Sequence, residues 1–222
     1  MATSGLVTLT DPRAPAAEAY RTLRTNLLFS TVDDPVHALV FTSPTPRSGK
    51  STAAANLAVT LAQGGHETIL ADCDLRQPQQ HTLWGLDNGR GLTTMMLEAG
   101  AIAEPPLQDV GVEHLSVLTS GQLPPNPADL LGSRKMDEVI GVLKARAEFV
   151  LFDAPPVLAV SDAVILGSKV DGVVLVIRAG HSRRDHAIRA RELLQQVHIR
   201  VVGSVLTNAP HDAAVGAYYG GR

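Results

Sequence analysis

Apolar residues fall along this chain in short, nearly unbroken runs, separated by stretches in which they return every three or four positions. The runs His37–Phe41, Glu67–Ala71, Phe149–Phe152, Val173–Ile177 and Val201–Leu206 predict strands. Phe149–Phe152 shows no polar alternation, the mark of a strand buried on both faces of a parallel sheet. His114–Leu118 alternates and predicts one more strand. Helical spacing predicts helices over Ala16–Ser30, Ala53–Leu61, Gly91–Glu98, Ala128–Ala147, Ser161–Gly167 and His181–Val197. Gln77–Arg90 reads as loop, and the proline-rich Gly121–Pro127 as turn. Strands alternating with helices predict an α/β fold, a doubly wound and mostly parallel sheet. Residues 1–14 are expected to form a flexible arm, 15–210 a single domain and 211–222 a flexible tail.

Composition narrows the classes. The chain has 222 residues, 45% of them apolar, enough for a packed core. A net charge of −3 supplies no basic field, so no nucleic-acid partner is expected. Cys73 is the sole cysteine, which excludes an internal disulfide and a cysteine-built metal or iron–sulfur site within one chain. Met1–Pro15 lacks the basic start and apolar run of a signal peptide, and no stretch approaches a membrane span. A soluble protein is expected, reaching a membrane only through a partner.

The candidate chemistry lies just past three of the strand runs. Val40–Phe41 leads into a loop of small and turn-forming residues that ends in Gly49-Lys50-Ser51, with a predicted helix behind it. Strand, loop and helix form the setting of a phosphate-binding loop, in which backbone N–H groups and a helix N-terminus converge on an anion. Thr45, Pro46, Arg47, Ser48, Gly49, Lys50, Ser51 and Thr52 are the candidate nucleotide-binding residues, with Asn208 past the last strand. Lys50 would reach the β- and γ-phosphates and Ser51 would ligand Mg²⁺. The full pattern opens with glycine, and Pro44 stands at that position. The alternative reading of the tripeptide is a polar turn capping a helix through Ser48. Asp72 and Asp74 follow a second strand, placed to hold a metal with its waters or to accept a proton. Their alternative is a polar strand end with Arg76 as ion partner. Asp153 closes a third strand at the position where a P-loop enzyme keeps a carboxylate that binds Mg²⁺ directly or through water. Glu18, Arg21 and Arg24 recur every three residues on one side of the first long helix, as a solvated face or an interface.

Taken together, Lys50-Ser51 in its loop, Ile69–Arg76 (Ile-Leu-Ala-Asp-Cys-Asp-Leu-Arg) and Phe149–Pro156 resemble the Walker A, A′ and B motifs of bacterial tyrosine kinases of the CpsD/CapB type. Glu18–Arg24 is similar to that family's Glu-x-x-Arg-x-x-Arg helix, and Val157–Ala163 to its sequence after Walker B. The resemblance covers about residues 14–208 and implies a P-loop NTPase of the three-layer MinD/ParA-like architecture. It implies ATP or ADP with Mg²⁺ as cofactors, and transfer of a phosphoryl group from ATP to tyrosine. Lys50, Asp72 and Asp74 would be catalytic, with Asp72 accepting the tyrosine proton. Ser51, Asp74 and Asp153 would hold the metal. The acceptors would be Tyr218 and Tyr219 of a neighbouring chain, and Glu18, Arg21 and Arg24 would build a ring-shaped homo-oligomer. The activator would be the cytoplasmic tail of a membrane polysaccharide co-polymerase, drawing a cytoplasmic kinase to the membrane's inner face to regulate capsule or exopolysaccharide polymerisation and export. Two other readings stay open. One is a partition or septum-site ATPase, although no lysine lies between Phe41 and Gly49 to reach across such a dimer. The other is a nucleotide-binding ring component that transfers little, because Arg47-Ser48 in the loop and a tail with only Tyr218 and Tyr219 depart from the family's usual pattern.

Overall fold

The computed structural model describes residues 5–30 and 35–209. Among them runs a seven-stranded sheet in the order β3-β4-β2-β5-β1-β6-β7. The three central strands are β1 (Ala38–Thr42), β2 (Thr68–Asp72) and β5 (Phe149–Asp153), each buried at every position. Buried on both faces, such strands read as continuous apolar runs rather than as alternation. β6 (Gly172–Arg178) and β7 (Val201–Thr207) extend the sheet on one side and β4 (Leu115–Leu118) on the other. All these pairings are parallel, whereas β3 (Gln108–Asp109) runs antiparallel to β4.

The two sheet faces carry separate apolar layers, because successive strand residues point to opposite sides. On one face Leu39, Phe41, Leu70 and Leu151 pack with α3 (Lys50–Gln63) and with α2 (Pro15–Ser30). On the other, Val40, Ile69, Val150 and Phe152 pack under α5 (Leu92–Leu97), α7 (Arg134–Lys144), α8 (Asp162–Gly167) and α9 (Arg184–Gln196). Helix α3 is buried from Ala53 to Ala62, and its five alanines let it lie close between α2 and the sheet. The doubly wound three-layer α/β fold expected of the sequence is the one observed.

Several elements differ from expectation. The segment expected as a loose arm carries α1 (Val7–Thr10), and Leu6 is fully buried in the α2–α3 layer. Thr8 anchors it by donating through N–H and Oγ1 to Asn56 Oδ1, at 3.1 and 2.8 Å. One buried leucine among threonines and prolines leaves no periodic signal. The helix expected over 128–147 is two helices, α6 (Pro127–Gly132) and α7, broken at Ser133, whose backbone is extended. The expected loop 77–90 contains α4 (Gln80–Trp84). The two-residue β3 is too short for any pattern. Tyr218 and Tyr219 lie outside the described residues.

Candidate active site

The loop after β1 is shaped by its own side chains. Ser43 Oγ and Ser48 Oγ both donate to the Thr45 carbonyl, at 2.9 and 2.7 Å, folding residues 43–48 back on themselves. Gly49 stands at the N-cap of α3 with φ of 81°, in the left-handed region that glycine enters without strain. Ser48 therefore does not cap the helix. The α3 N-terminus has no side-chain cap, and its first N–H groups open on the cleft, an arrangement that favours an anion.

Behind the loop the carboxylates of two strands meet one ammonium group. Lys50 Nζ lies 2.8 Å from Asp74 Oδ2, 3.2 Å from Asp153 Oδ1 and 3.3 Å from Ser51 Oγ. Burial works against this ammonium group, but the charges of Asp153 and Asp74 outweigh it and hold its pKa above the ordinary lysine value. Adjacent strands bring the acids together, since Asp72 and Asp153 are register partners of β2 and β5. Asp74 lies past the strand end, where its Oδ1 accepts the Gln77 N–H at 3.0 Å and its other oxygen is left for Lys50.

Asp72 turns elsewhere. It is fully buried and does not line the cleft. Its Oδ1 accepts the Asp74 N–H at 3.2 Å, and its Oδ2 those of Gln79 and Gln80 at 2.9 and 2.8 Å. Burial, then the charge of Asp153, pushes its carboxyl up to about 8, against the Gln80 N–H bond. In this structure the Asp72 side chain is engaged by the backbone leading into α4, and the proton-accepting role implied for it stays an expectation.

Sequence reasoning missed two residues here. Gln80 is buried and ties the site together, its Nε2 donating to Asp153 Oδ2 at 2.9 Å and to the Ser51 carbonyl at 3.1 Å. Its Oε1 accepts from Trp84 Nε1 at 3.2 Å, so the lone tryptophan is a packing anchor. Asp162, fully buried, forms a two-bond pair with Arg76 at 2.8 and 3.0 Å. Arg76 is thus not the ion partner of Asp72 or Asp74, as one reading had it. Gln80 sits near the start of a segment read as loop, and Asp162 within the stretch 157–163 that carries part of the resemblance, where nothing marks it as an ion partner of Arg76.

The cleft above these groups holds about 1010 Å³. Thr45 through Thr52 and Asp74 line it, together with Arg76, Gln77, Gln79 and Leu83 on one wall. Pro155, Pro156, Ala159 and Val160 follow β5, and His181, Arg183 and His186 follow β6. Eight of the nine expected nucleotide residues are therefore brought together. Asn208 is not among the lining residues, and its Nδ2 donates to the Ala179 carbonyl at 3.3 Å. The expected interface residues all have partners within the chain. Arg21 pairs with Glu18 at 2.6 Å and donates to the Pro12 carbonyl, and Arg24 donates to the Thr60 carbonyl at 2.7 Å.

Three oxygens gathered on one cation is also the donor set that Mg²⁺ takes: a hydroxyl and two carboxylates, all hard ligands. Ser51, Asp74 and Asp153 fit that ion.

The ParA family model, described as NUBPL iron-transfer P-loop NTPase, matches residues 37–211. Tyrosine-protein kinase YwqD of Bacillus subtilis is 43% identical over 201 residues, 90% of this chain and 84% of the relative. The putative tyrosine-protein kinase CapB of Staphylococcus aureus is 35% identical over 208 residues, 94% of this chain and 91% of that one. The solved kinase domain of Escherichia coli tyrosine kinase ETK superposes with a TM-score of 0.88 at 31% identity, covering 94% of this chain and 82% of that one. With the loop, the paired carboxylates and their lysine in place, this chain belongs to the ParA-like P-loop NTPases and, among them, to the bacterial tyrosine kinase family.

Proposed function

We propose that this chain transfers the γ-phosphoryl group of ATP to tyrosine hydroxyls. The observation that carries the reading is Lys50 held by Asp74, Asp153 and Ser51 at the base of a phosphate-loop cleft, in a chain whose relatives are named tyrosine kinases. The loop N–H groups and the α3 N-terminus would bind the phosphates. Lys50 would neutralise charge that spreads over the phosphoryl oxygens in the transition state. Ser51, Asp74 and Asp153 would hold Mg²⁺, which when bound draws charge from the β- and γ-phosphate oxygens. Phosphoryl transfer rests mainly on positioning and electrostatics, and Asp72 would accept the tyrosine proton.

In this reading Tyr218 and Tyr219 are the acceptors, phosphorylated in trans within an assembly that Glu18, Arg21 and Arg24 help to build. Among the described residues no helix is long and apolar enough to cross a membrane. Recruitment to the inner face of the membrane by a polysaccharide co-polymerase, with control of capsule or exopolysaccharide export, completes the proposal.

The test is incubation with labelled ATP and Mg²⁺, followed by anti-phosphotyrosine detection and mass spectrometry. Wild type is expected to gain phosphotyrosine at Tyr218 and Tyr219, and Lys50→Ala to lose the signal while staying folded. Hydrolysis without phosphotyrosine would identify a partition-type ATPase. Nucleotide binding with neither product would identify an inert ring component.

A further inference from the structure

The outward side of the phosphate loop carries contacts that the reaction does not itself require. Four consecutive carbonyl groups, Thr45 to Ser48, are each taken by a side chain. Thr45 is served from inside the loop. The other three are reached from the ends of β6 and β7, the strands next to β1 in the sheet. His181 Nε2, as the protonated ring nitrogen, donates to the Pro46 carbonyl at 3.1 Å. Arg178 Nη1 donates to the Arg47 carbonyl at 3.0 Å, and Thr207 Oγ1 to that of Ser48 at 2.8 Å.

A backbone that turns its N–H groups toward one anion must turn its carbonyls away, and captured carbonyls fix that orientation. Arg47 needs this most. Its φ is 61°, in the left-handed region, and a non-glycine residue stays there only where its surroundings hold it. The loop also has Pro44 where a phosphate loop ordinarily begins with glycine. Arg178 is itself held in a tight turn: its N–H donates to Ser182 Oγ at 3.0 Å, and its carbonyl accepts the N–H groups of His181 and Ser182.

We propose that Arg178 and His181 are positioning residues for phosphate binding, holding the Arg47 and Pro46 carbonyls outward so that the loop's N–H groups face the β- and γ-phosphates. The inference rests on the nucleotide reading of the cleft. It assigns work to the turn after β6, whose side chains reach the loop from more than a hundred residues away in sequence.

The experiment compares wild type, Arg178→Ala, His181→Ala and the double variant. Mg·ADP affinity is measured by calorimetry, and AMP affinity by competition against a fluorescent ADP. The double variant is expected to bind ADP about tenfold more weakly, the scale of one or two net hydrogen bonds, with AMP changed by less than about twofold. Both side chains are exposed, so the melting temperature should hold. Two further variants separate positioning from bulk. Arg47→Gly enters the left-handed conformation without strain and should restore most of the ADP affinity lost in Arg178→Ala. His181→Gln keeps an N–H donor and should stay near wild type. Equal ADP affinity in wild type and double variant would overturn the proposal. So would a parallel fall in AMP and ADP, since the side chains would then be touching the nucleoside and not the loop. If wild type itself binds no ADP, the nucleotide site is refuted, and this inference with it.

Discussion

Gln80→Ala removes a neutral side chain that joins α4 to both the phosphate-loop helix and Asp153. Three hydrogen bonds go with it. The bond to Asp153 Oδ2, a carboxylate with no solvent exposure, dominates, because an acceptor of that kind left without a donor costs about 1.5–3 kcal/mol. The bond to the Ser51 carbonyl adds about 1 kcal/mol. Trp84 is half-buried, so its indole N–H can find water and contributes little. Water entering the vacated space offsets part of the loss, which leaves a net destabilisation of about 2–4 kcal/mol. In a chain of 222 residues each kcal/mol shifts the melting temperature by about 2–4 °C, so a fall of roughly 4–16 °C is expected. The assay is thermal unfolding followed by circular dichroism, with urea titration to check that the slope is unchanged. A shift below about 2 °C would refute the reasoning, since it would mean that Asp153 is satisfied by something other than Gln80.

Asp171 supplies a pH-dependent contribution. Burial works against its charged form, but the N–H groups of Ala38 and His37 and the Lys144 ammonium outweigh that and hold its pKa below the ordinary carboxylate value. A depressed folded pKa contributes stability that is present above the unfolded value and is lost as pH falls through the folded one. Asp171→Ala should therefore cost about 1–3 kcal/mol in urea at pH 7, with the gap to wild type closing as the pH drops below about 4. A gap that stays constant with pH would show that the carboxylate's charge plays no part. Replacing Arg21 and Arg24 with alanine should convert the proposed assembly to monomers in light scattering. Because Arg24 also holds the Thr60 carbonyl near the end of α3, a loss of about 1 kcal/mol in stability should accompany it. An unchanged mass would make the stripe a face that serves only its own chain.

The readable part of this protein was its local part. Central strands buried on both faces announce themselves as apolar runs, so β1 and β5 could be placed within a residue, while the helix behind the contiguous Lys50 loop begins three residues earlier than expected. What escaped depends on contacts between distant segments. The Arg76–Asp162 pair spans 86 residues, and nothing in either neighbourhood points to the other. Leu6 and Thr8 are tied to α3 across a similar gap in pattern, by one buried leucine and one asparagine oxygen. The break at Ser133 turns on a backbone dihedral that an otherwise helical spacing conceals.

Asp72 and Asp74 show how two acids of one motif can find different partners. Two carboxylates at alternate positions should share a face as long as the strand continues. β2 ends at Asp72, yet Ala71, Cys73 and Leu75 still pack in one apolar layer, so the alternation carries past the strand end and the two acids differ in the partners that they find. Asp74 reaches Lys50, while Asp72 collects three backbone N–H groups, two of them from the approach to α4. That helix carries Gln80, and Gln80 reaches back to Asp153. Asp72 therefore acts on the reaction centre through the element it anchors. Of the two acids in the motif, the one that lines the cleft is suited to a metal ion or to Lys50, and the one beneath it holds the approach to α4.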